Sequence, residues 1–243
     1  MRISFDVIGG KGGAVAVIEG SDRSIAKEIM LRHGNVKAVY GKAGERRGEY
    51  RLYKLKLLAG KAQKEVVHRE SGLLFKLDPR KVYFSPREST ERQRCALLCK
   101  PKEQVLVLFA GAAPLAIAIA KRQPSDRVVA VEKNPSAVNY ALENVKLNRT
   151  MNVSVLQADA AKFKSVEKFD RIFMPLPEGA KDFLPVVKKL VKPKGTVYLY
   201  TLSHEKTLFK DVKGLDDWKT VGKQQVLPYA PRVWKVRIDL KLK

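Results

Sequence analysis

Two carboxylates in this chain stand where a bound ligand would meet them. Glu132 ends the apolar run Val128-Val-Ala-Val131, and Asp159 follows the run Val153-Ser-Val-Leu156. A carboxylate at the end of one strand can accept hydrogen bonds from both hydroxyls of a ribose, and a second, one strand further on, can accept from an adenine amino group. Gly111 follows the run Val105-Leu-Val-Leu-Phe109, in a turn where the missing Cβ lets a ligand approach the backbone. Met174-Pro-Leu-Pro177 follows a further strand, Phe169 to Phe173, beside the expected reaction centre. A nicotinamide dinucleotide would call for G-x-G-x-x-G after the first strand, and a single glycine stands there. An acid after a strand is, taken alone, more often a turn residue or a helix cap. The order and spacing of the set favour S-adenosyl-L-methionine.

Other side chains stand where they could act on a partner. Arg51 has the parity of Tyr53, Leu55 and Leu57 on a strand whose other face carries Lys54 and Lys56. A cation on an apolar strand face is costly to bury unpaired, so Arg51 is either half of an ion pair or a functional donor. Glu91 follows Ser89-Thr90, a pattern that suits the first turn of a helix and its dipole as well as a pocket acid. Cys95 and Cys99 are neighbours on a helix face, while His33, His68 and His204 are scattered, so neither a disulfide framework nor a metal cluster is expected. The two thiols read as small buried apolar groups in a reducing compartment.

The elements that must position these residues fall into two parts. From residue 1 to 78 the pattern is one of short strands and one helix. Phe5 to Ile8 and Ala14 to Ile18 flank a glycine-rich turn, Ser21 and Asp22 offer caps for a helix over Ile25 to Arg32, and a second hairpin turns near Ser71-Gly72. The second part is 79 to 243, in which from about Gln104 apolar strands alternate with amphipathic helices, which implies crossover units on a parallel sheet. Asn134 caps a helix that has Pro135 at its first position. A helix is expected over Ala180 to Val191, stopped by Pro193-Lys-Gly195, then a strand from Thr196 to Tyr200, and a last strand over Val233 to Leu242.

Composition bounds the partners. Of 243 residues, 48 are Lys or Arg and 25 are Asp or Glu, a balance of +23, and 45% are hydrophobic, which excludes an intrinsically disordered chain. Such an excess points to a polyanion, because lysine and arginine displace counterions from phosphates. Met1 to Gly13 has no signal-peptide pattern, and Val105 to Ala120 is interrupted by Gly111 and Pro114 and too short for a bilayer. A cytoplasmic protein without a membrane partner is expected.

Several motifs then share one pattern. Lys81-Val-Tyr-Phe-Ser-Pro-Arg87, Ser89-Thr-Glu-Arg92, Phe109-Ala-Gly111, Val131-Glu-Lys-Asn-Pro135, Glu143-Asn-Val-Lys-Leu-Asn148 and Pro175-Leu-Pro177 resemble the archaeal and eukaryotic tRNA (guanine-37-N1)-methyltransferase family. The match runs from Phe5-Asp-Val-Ile-Gly9 to Tyr229-Ala-Pro-Arg232. The resemblance implies a class I methyltransferase domain of Rossmann-like α/β fold behind a small α+β RNA-contacting domain. Its substrate would be tRNA, at the purine of position 37 in the anticodon loop. The family's usual acid is Val107 here, and its Gly-x-Gly turn is Gly111-Ala-Ala113. The usual Asn of its Asn-Leu-Pro motif is Pro175, and its usual Asp after the second strand is Glu132. The last two substitutions resemble an archaeal branch that also methylates C7 of 4-demethylwyosine. The family's extra N-terminal domain has no counterpart ahead of Phe5.

Guanine N1 carries a proton, so its methylation calls for a base at N1 and a positive donor near O6. The resemblance implies Glu91 as that base and Arg51 as the donor, with Pro175 and Pro177 shaping the loop under the target base. It implies cofactor contacts at Tyr83, Phe84, Ser85, Arg92, Phe109, Gly111, Glu132, Lys133, Asn134, Asp159 and Ala160. Tyr83 and Phe84 could stack on adenine or on the target base, or pack as core. Arg92 could meet the cofactor carboxylate or an RNA phosphate. Lys54, Lys56, Arg46, Arg47 and Arg232 are candidate phosphate contacts. Two other functions compete: aminocarboxypropyl transfer from the same cofactor, against which the Pro-Leu-Pro motif argues, and a non-catalytic RNA-binding module on a degenerate fold.

Overall fold

The computed structural model describes residues 4–50, 52–124, 127–210 and 212–243, and at 45–47 the backbone alone. Arg51 and the side chains of Arg46 and Arg47 lie outside the described residues.

Strands β1 (Phe5–Gly10) and β2 (Gly13–Glu19) form the expected first hairpin. Asp22 opens α1 (Arg23–Arg32), its carboxylate accepting the N–H groups of Ser24 at 2.8 Å and Ile25 at 3.2 Å, which an uncapped helix would leave unpaired. The helix carries the chain to β3 (Val36–Arg47), parallel to β2, and a turn leads back into β4 (Leu52–Gly60). Ala26 and Ile29 of α1 pack on one face of this four-stranded sheet. Along β4 the even alternation of the sequence breaks. The register slips opposite Val39 and Tyr40, so Leu58 is turned inward at 8% exposure and Leu57 is left 37% exposed. One extra residue inverts the parity of the side chains beyond it.

A separate hairpin, β5 (Val66–Glu70) and β6 (Leu73–Leu77), turns at Ser71 and Gly72, both left-handed. Its Phe75 and Leu77 share one hydrophobic cluster with Ile8, Val15 and Tyr40 of the small sheet and with Val82, Cys95 and Tyr140 of the large part.

The large part runs α2 (Ser89–Leu98), β7 (Gln104–Leu108), α3 (Pro114–Arg122), β8 (Arg127–Glu132), α4 (Pro135–Asn148), β9 (Val153–Gln157), β10 (Phe169–Met174), α5 (Leu184–Leu190), β11 (Val191–His204), β12 (Trp218–Ala230) and β13 (Val233–Leu242). The strand order is β12-β13-β11-β10-β7-β8-β9, parallel from β11 to β9, with β13 and β12 added antiparallel. This is the expected Rossmann-like α/β sheet. Val105 and Val107 of β7 belong to the cluster with α2, α3 and α4, and Leu106 and Leu108 to the cluster with α5. Burial on both faces is why such a strand reads as an unbroken apolar run.

Two expectations change. The helix foreseen over Ala180 to Val191 is a 3-10 turn, Ala180–Phe183, followed by the short α5. Pro185 fits only a first helical turn, so the helix restarts just ahead of it. Pro193 and Gly195 lie inside β11 rather than between a helix and a strand: Phe169 pairs with Val191 but Arg171 with Thr196, and the intervening residues bulge. Strand β12 has no clear apolar alternation. It forms an edge, pairs with β13 through three register shifts, and tolerates Pro228 there.

Candidate active site

A cavity of about 540 Å³ opens at the carboxyl ends of the central strands. It sits where the chain, having run from β7 out to β9, returns to β10, the switch point at which open α/β sheets hold ligands. Glu49, Tyr50 and Leu52, around the turn between β3 and β4, close it from the small sheet. Every described residue predicted for catalysis or for the cofactor lines it: Tyr83, Phe84, Ser85, Glu91, Arg92, Phe109, Gly111, Glu132, Lys133, Asn134, Asp159, Ala160, Pro175 and Pro177; the candidate phosphate contacts Lys54, Lys56 and Arg232 do not.

One end is built from strand ends and backbone. Phe109, Gly111 and Ala113 all adopt left-handed conformations after β7, and a Cβ added at Gly111 would meet only the Tyr83 carbonyl oxygen, at 3.6 Å. The turn thus presents bare backbone to the cavity. The Glu132 carboxylate anchors it, Oε2 accepting the Gly111 N–H at 2.8 Å while Oε1 accepts those of Lys133 and Asn134 at 2.9 and 2.8 Å. Asn134 is the cap foreseen for α4, accepting the Ser136 N–H at 3.0 Å, and its amide donates to the Lys81 carbonyl at 2.8 Å. Lys133 spans the mouth, its Nζ 2.7 Å from Asp159 and 2.8 Å from Glu49 of the small sheet. The Lys133 hydrogen bond holds the Asp159 carboxyl below the usual carboxylate range. Ala160 is buried, and Phe109 meets Phe183 edge to face at 4.8 Å.

The other end is built on α2. Glu91 is 5% exposed and caps nothing. Its Oε1 accepts from Arg237 at 2.6 Å and from the Tyr200 hydroxyl at 2.7 Å, and its Oε2 pairs with Arg94. The Arg92 guanidinium is held within the chain: Nε lies 2.6 Å from Glu70, Nη2 bonds both Glu70 and the Ser85 carbonyl, and the group sits 5.1 Å from the Phe84 ring. Phe84 is buried between His68 and Phe75, whereas Tyr83 is 44% exposed and donates to Glu88 at 3.0 Å. Pro175 and Pro177 form a wall, and Tyr229 bonds Glu178 at the end of that loop. Lys54 and Lys56 are exposed, and Arg232, also exposed, stands 3.6 Å from Glu205.

Sequence reasoning did not find Glu88, Cys95, Tyr200, Lys235 or Arg237. Burial pushes the Glu88 carboxyl up, but the Lys235 ammonium at 2.9 Å, the Arg92 charge and the Tyr83 hydroxyl together outweigh it and hold the group below the usual range. No sequence signal marked the two cations: Lys235 and Arg237 alternate with Val236 and Ile238, a pattern that ordinarily turns charges toward water. Among the described residues, no His, Cys, Asp and Glu cluster could hold a metal ion and no helix is long and apolar enough to cross a membrane.

Comparison with known proteins adds four relationships. The TRM5/TYW2 methyltransferase domain family matches residues 66–225. The tRNA (guanine(37)-N(1))-methyltransferase Trm5b of Pyrococcus abyssi is 35% identical over 98% of this chain and 74% of its own length. The tRNA (guanine(37)-N(1))/4-demethylwyosine(37)-methyltransferase Taw22 of Nanoarchaeum equitans is 33% identical over 88% of this chain and 89% of its own. Among solved structures, TYW2 of M. jannaschii in complex with AdoMet superimposes with a TM-score of 0.73 at 25% identity, covering 99% of this chain and 100% of that one.

Proposed function

We propose, from the premise that this chain belongs to the TRM5/TYW2 methyltransferase family, that it methylates the purine at position 37 of tRNA. The reaction is N1 methylation of guanosine and, on the same site, C7 methylation of 4-demethylwyosine. One observation carries the reading: a single cavity joins Gly111, Glu132 and Asp159 at one end to Glu91, Tyr83 and the Pro175-Leu-Pro177 loop at the other.

The first set fits an adenosyl group. The open backbone at Gly111 admits it, Glu132 has oxygen lone pairs beyond its three N–H donors for the ribose hydroxyls, and Asp159 can accept from an adenine amino group. When bound, S-adenosylmethionine supplies a methyl group on a sulfonium. Everything else falls to the chain. A base in an anticodon loop can leave its stack and enter a pocket, and the balance of +23 favours the phosphates that bring it there. Residues 1–78 are the proposed tRNA-contacting unit, because Glu49, Tyr50 and Leu52 reach the cavity from it. Glu91 takes the N1 proton of guanine, whose electron pair then attacks the methyl. Arg51 is the proposed donor to O6. Pro175 and Pro177 offer the base no N–H.

Nucleoside mass spectrometry tests the assignment, on tRNA transcripts carrying guanosine and on tRNA carrying 4-demethylwyosine. Wild-type protein should form N1-methylguanosine in the first and the C7-methylated tricycle in the second. Glu91→Ala should slow the guanosine reaction by roughly 10²–10⁴-fold, the usual contribution of a general base. An unmodified guanosine sinks the reading. Guanosine modified and the tricycle never modified removes its second half only.

A further inference from the structure

Strand β13 alternates in an unusual way. Val236, Ile238 and Leu240 enter the apolar core on one face, and on the other Lys235 and Arg237 are 2% and 4% exposed. Burying cations is costly, and pairing them adds little net stability compared with apolar packing, so two on one strand call for a function other than holding the fold. Each meets a carboxylate that lines the cavity: Lys235 Nζ is 2.9 Å from Glu88 Oε1, and Arg237 Nη1 is 2.6 Å from Glu91 Oε1. Arg237 is itself steadied by Asp239, whose Oδ1 lies 2.8 Å from its Nε. Gly222 on β12 leaves the room, since a Cβ there would stand 2.6 Å from Asp239 Oδ2.

The two oxygens of Glu91 are not equivalent. Oε1 accepts from Arg237 and from Tyr200, and Cys95 Sγ stands 3.5 Å from it. Among the described residues Oε2 is met by Arg94, a side chain that is 36% exposed, against 5% for Arg237. We infer that Arg237 and Tyr200 are positioning residues for Glu91. They hold Oε1 against the sheet so that Oε2 is the oxygen presented to the target base. The inference rests on Glu91 being the base proposed above. In the step it serves, the N1–H bond breaks and the proton goes to Oε2 as Arg94 moves aside. The electron pair stays on N1 to form the bond to the methyl carbon as the bond from that carbon to the sulfonium breaks, its pair going to sulfur, so that S-adenosylhomocysteine leaves.

The groups facing Glu91 are Arg94 and Cys95 from α2, Tyr200 from β11 and Arg237 from β13, with the Glu88–Lys235 pair beside them. Tyr200 and Cys95 stay protonated, because burial raises both. Arg237 is therefore the buried permanent charge in contact with this carboxylate.

The test is the single-turnover rate of N1 methylation on a guanosine-37 transcript, with full-length protein in excess at several concentrations and saturating S-adenosylmethionine, which separates the maximal rate from the half-saturating concentration. Arg237→Met should lower the maximal rate by about tenfold or more and leave the half-saturating concentration near its wild-type value. Arg237→Lys, which keeps the charge, should recover much of that rate. In the Glu91→Ala background Arg237→Met should cost nothing further. Should Arg237→Met fail to fold, Tyr200→Phe carries the same cycle, with an expected three- to tenfold loss in wild type and none in Glu91→Ala. If Glu91→Ala alone keeps full rate, the base assignment fails and this inference with it. If Glu91→Ala is slow but the second substitution costs the same factor in both backgrounds, the base stands and the positioning role is overturned.

Discussion

Asn148 grips the peptide of Leu74 from both sides, its side-chain amide donating to the Leu74 carbonyl at 2.6 Å and accepting the Leu74 N–H at 2.9 Å. One helical turn earlier, Asn144 does the same to Lys76, at 3.1 and 2.7 Å. Four residues of helix rise about 6 Å and two residues of strand about 6.6 Å, so a pair of asparagines on α4 can act as a missing neighbour strand for β6. This docks the hairpin from which the chain enters Tyr83 and Phe84. Asn148→Ala leaves a strand N–H and carbonyl without these partners and should cost about 1–3 kcal/mol of unfolding free energy. Urea denaturation reads it, and an unchanged midpoint would mean that water replaces the clamp.

Glu132 should govern cofactor binding. Glu132→Ala removes the acceptor for the ribose and loosens the Gly111 turn, and should weaken binding of S-adenosylhomocysteine by about 1.5–3 kcal/mol, the range for a hydrogen bond to a charged group. Glu132→Gln should be no better, because its NH2 group would face a backbone N–H that the carboxylate now accepts. Titration calorimetry measures both, and wild-type affinity in Glu132→Ala would remove this residue from the site.

His68 should make stability depend on pH. Its Nδ1 accepts the Gly9 N–H at 3.2 Å, tying the hairpin to β1, and burial lowers its tendency to protonate below the ordinary value of 6.5, with the Arg92 charge adding to this and the Glu70 charge opposing it. The folded protein then binds this proton less readily than the unfolded chain. The contribution is fully present above the unfolded value and is lost as pH falls from about 6.5 toward the lowered folded value. Urea midpoints at pH 7.5 and 5.5 should differ more for wild type than for His68→Asn. Equal differences in the two proteins would exclude His68 as the group responsible.

Pro175 should bias the choice of target. Asparagine at this place has an amide that can hold guanine, and proline has no N–H to offer. Pro175→Asn should raise the ratio of N1 methylation of guanosine to C7 methylation of 4-demethylwyosine, read by mass spectrometry on the two tRNAs in competition. A ratio unchanged from wild type would show that the loop does not set the preference.

What the sequence determined by itself is local. Asp22 and Asn134 precede helices whose first N–H groups need an acceptor, and both cap them. The runs at Val105 and Val128 are apolar without alternation because both strand faces are covered, so their ends, and therefore Gly111 and Glu132, could be located along the chain before any fold was known. Tertiary structure decided which charges meet. Arg92 pairs with Glu70, 22 residues away, and Arg237 with Glu91, 146 residues away. Neither distance along the chain encodes the pairing. On an alternating strand, charged residues at every second position ordinarily face water. Lys235 and Arg237 do not, because β13 lies between β11 and β12 with the carboxylates of Glu88 and Glu91 over that face. Strand order and register set that environment, and both are long-range properties that depend on how the whole chain buries its apolar surface.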